Sequence, residues 1–181
     1  LVQELKERRL EGAGYFIRSR YKIEGQVLRF GLKNSKLCLI NRHKLKFPHV
    51  PDLDIEGMGE IEGHYQPVRR SYFAREKIGR MKGMMVHDAY ADMKGWAARH
   101  ARYARWEAEM NKRDAWPLDP VGWRDFLKRM FRGLPRRDML AFLHSYIIKG
   151  GFLDGRRGWI LAKSRYLYYR MIHQIELDEQ R

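Results

Sequence analysis

Met81-Lys82-Gly83-Met84-Met85-Val86-His87-Asp88 is the turning point of this sequence. Met81 to Val86 reads as a strand, and after His87 the apolar residues change to helical spacing. Asp88 is a residue type that caps helices, and the predicted helix runs from it to about Lys112. Met93, Trp96, Ala97, Tyr103, Trp106 and Met110 fall largely on one stripe of that helix, with Lys94, Arg99, Arg102 and Arg105 elsewhere. Pro117 and Pro120 break it. Further helices are predicted over Val121 to Phe131, from Pro135 to Gly150-Gly151, and from Gly158 to Glu179. Upstream, Leu1 to about Glu11 reads as a short polar helix stopped by Gly12 and Gly14. Tyr15 to Ile17 and Gln26 to Phe30 are strand-like, and the apolar run Lys36 to Asn41 reads as a buried strand. The chain therefore divides into a strand and loop part, residues 1–87, and a helical part, residues 88–181. It shows no internal repeat, low-complexity tract or linker.

The 181 residues suffice for one domain with a core, or for part of a larger one. A formal net charge of +15 calls for an anionic partner: nucleic acid, an acidic membrane surface or a phosphorylated substrate. The single Cys38, between Leu37 and Leu39, excludes a disulfide framework and reads as a buried thiol. No apolar run is long enough to cross a bilayer. The start at Leu1, in a charged helical segment, leads to the expectation that the chain is a piece of a longer protein.

Chemistry concentrates in Gly57-Met58-Gly59-Glu60-Ile61-Glu62-Gly63-His64-Tyr65-Gln66-Pro67. Its glycines let a backbone approach a ligand closely, and Glu60, Glu62 and His64 are suited to proton abstraction or metal binding. A solvated loop, with Glu60 paired to Arg69 or Arg70, is the alternative. His87 reads either as a ligand at a strand end or as a satisfied core imidazole. Arg18, Arg20 and Lys22 follow the first glycines and suit a phosphate. Arg105-Trp106 can set a guanidinium against a diphosphate while the indole stacks or anchors, or it is a solvated basic face beside a buried tryptophan. Tyr166, Tyr168, Tyr169 and Trp159 read as helix packing, with a membrane surface as the second possibility.

In order along the chain, Gly14-Tyr15-Phe16-Ile17-Arg18-Ser19-Arg20, Ile23-Glu24-Gly25, Leu37-Cys38-Leu39-Ile40-Asn41-Arg42 and Glu60-Ile61-Glu62-Gly63-His64-Tyr65-Gln66-Pro67 form one series. It continues through Met84-Met85-Val86-His87-Asp88, Arg99-His100-Ala101-Arg102-Tyr103, Trp106-Glu107-Ala108 and Gly150-Gly151-Phe152-Leu153-Asp154-Gly155. The series resembles the acceptor half of a bacterial family-2 glycosyltransferase, of the kind that decorates cell-envelope polysaccharides and lipopolysaccharide cores. The resemblance implies an α/β fold, the C-terminal half of a GT-A domain: a partial mixed sheet followed by a helical, membrane-surface region. It implies inverting transfer from a nucleotide-sugar to an envelope glycan or lipid-linked acceptor, with a divalent metal (Mg or Mn), at the inner face of the cytoplasmic membrane. Glu62 is then the general base and Glu60 its reserve, His87 the metal ligand, and Arg102, Arg105, Trp106, Arg18 and Arg20 the donor contacts. His64 would orient Glu62. The only Asp-x-Asp, Asp52-Leu53-Asp54, falls too late in the order, and the opening strand-helix-strand units are missing, so the isolated chain is expected to lack the donor half and its activity. Arg102-Tyr103-Ala104-Arg105-Trp106 is similar to the Gln-x-x-Arg-Trp signature of processive members with arginine for glutamine, which favours transfer of a single sugar. Two other classes stand beside this one, a basic nucleic-acid-binding module and a non-catalytic interaction module.

Overall fold

The computed structural model describes residues 1–7, 10–50, 53–55, 65–71, 75–88, 90, 92–117, 119 and 122–179. The sheet is organised around β1, Gly14–Ile23, which alternates side chains between its faces and buries Tyr15, Ile17 and Ser19 on one of them. Glu24 and Gly25, both at positive φ, form the two-residue turn into β2, Gln26–Val27. Both central residues of a type I′ hairpin need that conformation, and glycine takes it without strain. β3, Asn34–Ile40, pairs antiparallel with β1, Ser19 opposite Asn34 and Gly14 opposite Ile40. β4, Leu45–Lys46, and β5, Val68–Arg69, make a separate two-stranded antiparallel ribbon. β6, Ile78–His87, runs parallel to β1 along its other edge and sets His87 beside Tyr21.

Seven helical segments complete the fold among the described residues. A short α1, Val2–Glu7, lies against β6, where Glu4 accepts the amides of Lys82 and Gly83. α2 spans Met93–Lys112, α3 Gly122–Gly133, α4 Arg137–Leu143 and α5 Gly155–Asp178. A π-helical turn, His144–Ile148, extends α4, and a 3-10 turn, Gly151–Asp154, leads into α5. α5 is the common support, packed along both α2 and α4. Ala104 and Ala108 of α2 meet Ile172 of α5 in a closely packed seam. Arg137, 5% exposed, fastens α4 to α5 by donating to both carboxylate oxygens of Glu176 at 2.6 Å.

The segment after β2 ties the sheet to the C-terminal helices. The carboxylate of Asp154 accepts the amides of Arg29 at 3.0 Å and Phe30 at 2.8 Å, and Gly31 donates to the carbonyl of Lys149. Gly158 then lets α5 start hard against the 3-10 turn, since a Cβ there would lie 1.7 Å from the Gly151 carbonyl oxygen. Ile23, Leu28 and Leu161 form the apolar cluster beneath these contacts.

Several expectations change. A GT-A half-domain would carry successive parallel strands joined by helices. Here β1 has one parallel neighbour, and among the described residues no α-helix lies between β1 and β6; the other pairings are antiparallel. Asp88 does not cap α2. Its carboxylate is held by Lys22 at 2.8 Å, and Asp92 caps instead, accepting the amides of Lys94 and Gly95. Cys38 is exposed, because the neighbouring Leu37 takes the inward position on β3.

Candidate functional site

The Asp92 cap fixes the first turn of α2 and with it a row of side chains at i, i+3, i+4 and i+7: Trp96, Arg99, His100 and Tyr103. α5 presents a matching row, Leu161, Ser164, Arg165 and Tyr168. The two rows and the sheet enclose a cleft of about 410 Å³, completed by Tyr21, Asn34, Lys36, His87 and Tyr90. The β1 and β6 register sets Tyr21 beside His87, whose rings meet edge to face at 5.3 Å. Trp96 is held between Tyr90, stacked at 6.0 Å, and His100, stacked at 4.1 Å. The hydroxyls of Tyr90 and Ser164 share a hydrogen bond of 2.8 Å. His100 Nδ1 lies 2.8 Å from the Trp96 carbonyl oxygen, which can only accept, so Nδ1 carries the proton.

This cleft is electropositive. Lys36, Arg99 and Arg165 line it, and among the described residues no carboxylate does. Burial, then Lys36, hold His87 below the usual imidazole range against the pull of Asp88. Burial also lowers His100, helped by Arg99 and opposed by the bond to the Trp96 carbonyl. Both shifts favour the neutral imidazole. Burial pushes Tyr90 up to about 12 and raises Tyr21, so these phenols stay protonated. Arg165 Nε is buried without a hydrogen-bond acceptor among the described residues.

A second cavity, about 300 Å³, adjoins the first through Tyr103, Tyr168 and Tyr169 and is walled by Phe131 and Arg132 of α3. Glu107 lines it, its carboxyl enclosed by protein while the residue keeps partial exposure through the cavity. Burial raises the Glu107 pKa, and the Tyr168 hydroxyl, which donates to Oε2 at 2.5 Å, offsets part of that shift. Arg132 lies over the ring of Trp116 at 3.8 Å. The Tyr65 hydroxyl and Trp106 Nε1 are buried without partners among the described residues.

Of the residues singled out from sequence, His87 stands at the exposed rim of the cleft and Trp106 lines the second cavity. Arg102 and Arg105 are exposed on α2 and line neither. Arg18 and Arg20 lie half-buried on β1, on the face opposite Tyr21. Glu60, Glu62 and His64 lie outside the described residues. Lys36 and His100 received no role from the sequence; the helical rows at 96/99/100/103 and 161/164/165/168 carry the periodicity that places His100 and Arg165, whereas Lys36 comes from β3 with no such signal. Among the described residues, the lining of this cleft sets two imidazoles beside three cationic side chains and supplies no carboxylate, and no group of three or more His, Cys, Asp or Glu that could hold a metal ion occurs. No described helix is long and apolar enough to cross a membrane.

Comparison with protein-family models, curated proteins and solved structures finds no match to this chain. The family-2 glycosyltransferase resemblance is therefore not upheld. With it go the GT-A fold, the nucleotide-sugar transfer and the enzyme class drawn from it, since neither the sheet topology nor the metal chemistry of the described residues supplies an independent argument. What stands is a small α/β domain with two small sheets and a C-terminal helical region.

Proposed function

We propose that this chain is a peripheral membrane-binding module that docks on an anionic lipid surface through α3. The observation that carries the proposal is the outward face of that helix. Trp123, Phe126, Leu127 and Met130 recur at i, i+3, i+4 and i+7 and are 66, 61, 51 and 51% exposed, and no residue of α3 is buried. An apolar stripe at helical spacing ordinarily faces a core; facing solvent, it suits an interface. Arg124, Lys128, Arg129 and Arg132 outnumber the single Asp125 on the same helix, which complements an anionic leaflet. Asp119 steadies Lys128 at 2.5 Å and Arg124 at 3.7 Å, orienting the basic side. Met139, Leu140, Leu143, Ile147 and Ile148 give α4 and its π-helical turn further exposed apolar surface.

The net charge of +15 also suits RNA, whose bases can stack on an exposed indole or phenyl, but the aliphatic Leu127 and Met130 of the same stripe suit acyl chains better than nucleobases. Flotation with vesicles of neutral phosphatidylcholine, with and without phosphatidylserine, tests the proposal, with RNA as competitor and sedimentation reporting the oligomeric state. Binding to the anionic vesicles that weakens with salt is the expected result. Equal affinity for both vesicles, displacement by RNA, or a dimer that fails to bind either vesicle overturns it.

A further inference from the structure

We infer that the sheet face turned away from the helices docks an extended acidic segment of a partner protein through Arg18 and Arg20. Both arginines stand on β1, and side chains two apart on a strand share a face. The ladders fix their neighbours: Arg18 lies between Ser35 of β3 and Met84 of β6, and Arg20 lies beside Val86 of β6. Directly paired residues point to the same side, so these five side chains form one patch. Tyr21, Lys36 and His87 point to the other side and line the cleft beneath α2 and α5, which leaves the patch away from the helices.

The two guanidinium groups have no counter-charge. Among the described residues neither makes a hydrogen bond or an ion pair, and the Nε of each is buried without an acceptor. Lys22, next in the row, differs, since Asp88 holds it at 2.8 Å. Half-buried donors without acceptors, and two like charges about 6.5 Å apart, are both unfavourable in the free protein, and a carboxylate on each guanidinium relieves both. An extended peptide carries its alternate side chains at that same spacing, so acidic residues at i and i+2 of a strand-like segment meet Arg18 and Arg20 together. Met84 and Val86, 42 and 57% exposed, give the aliphatic part of those acidic side chains an apolar flank. A single nucleic-acid strand fits the patch less well, because its bases stack on aromatic side chains and none of the five residues is aromatic.

Fluorescence anisotropy with a short, labelled, end-blocked peptide of alternating glutamate and threonine tests the inference, with a labelled oligouridylate as the competing class. Arg18→Thr combined with Arg20→Thr is the face variant. Arg105→Gln combined with Lys163→Gln, at exposed sites on α2 and α5, is a control with the same loss of charge. Threonine favours strands and removes the unpaired donors, so the face variant should melt no lower than the parent. Saturable peptide binding that falls about tenfold or more in the face variant, and not in the control, is the expected result. If the face variant does melt lower, Arg20→Lys carries the comparison: it keeps the stem and the charge but removes the planar fork, and a several-fold loss of peptide affinity is expected there too. Absence of peptide binding, equal weakening in the control, unchanged affinity in Arg20→Lys, or binding of the oligouridylate in place of the peptide through Arg18 and Arg20 overturns the inference, whether or not α3 binds vesicles.

Discussion

Replacing Trp123 and Phe126 together by serine tests the role of α3 with a magnitude that follows from the structure. Both side chains already stand largely in water, 66 and 61% exposed, so removing them leaves no cavity. Stability should change by no more than about 0.5 kcal/mol, the range for surface substitutions. At a membrane the same side chains matter more. Full burial of a large apolar side chain is worth about 1.5–3 kcal/mol, and an interfacial helix inserts only its apolar face, so about 0.5–1 kcal/mol per residue is a conservative share. The pair then loses about 1–2 kcal/mol, or roughly 5- to 30-fold in vesicle partitioning. Sedimentation with anionic vesicles measures the partition coefficient, and a urea melt checks the fold. A double variant that melts with the parent and partitions within twofold of it refutes the reasoning.

Three further outcomes follow from the interior. Gly158→Ala drives a Cβ to within 1.7 Å of the Gly151 carbonyl, and a loss of about 1–3 kcal/mol or more is expected by chemical denaturation; a neutral result would mean that the 3-10 turn yields freely. Arg137→Ala leaves the Glu176 carboxylate without its buried partner and should cost about 3–5 kcal/mol, read from the urea midpoint. Burial raises the Glu107 pKa, so the folded protein keeps this proton at pH values where the unfolded chain, near 4.5, has released it. Its contribution to stability is thus fully present below that value and declines as pH rises through the folded pKa. Glu107→Gln should therefore stabilise the protein more at pH 7.5 than at pH 4, and an equal effect at both would contradict the shift.

The order of elements was legible because strong local signals agreed with tertiary needs. Glu24-Gly25 has the composition its turn requires, and the helical periods after residue 88 fall where α2, α3 and α5 form. The errors were tertiary. Asp88 and Asp92 are equally good caps by type, and only the folded chain shows Lys22 occupying the first. Leu37-Cys38-Leu39 looked buried throughout, but alternation along β3 turns Cys38 outward. The helix over Val121 to Phe131 was predicted, whereas the outward direction of Trp123, Phe126, Leu127 and Met130 was not. The resemblance rested partly on Gly150-Gly151-Phe152-Leu153-Asp154-Gly155, and the structure gives that run a packing purpose: a close approach to Gly158 and a carboxylate that holds two backbone amides. The charged cleft escaped the sequence reading because its cations lie far apart in the chain.

That carboxylate also sets a timetable for synthesis. Asp154 lies 125 residues after Arg29 and 124 after Phe30, the two amides it accepts. A ribosome adding about 5–20 residues per second needs roughly 6 to 25 seconds to travel that distance. Through that interval the emerging chain has the β1–β2 hairpin but not the group that secures the segment after it, nor Leu161 to cover Ile23 and Leu28. The sheet must wait with apolar surface open, and a stall before the codon for Asp154 would leave a nascent chain exposed to aggregation at its own edge.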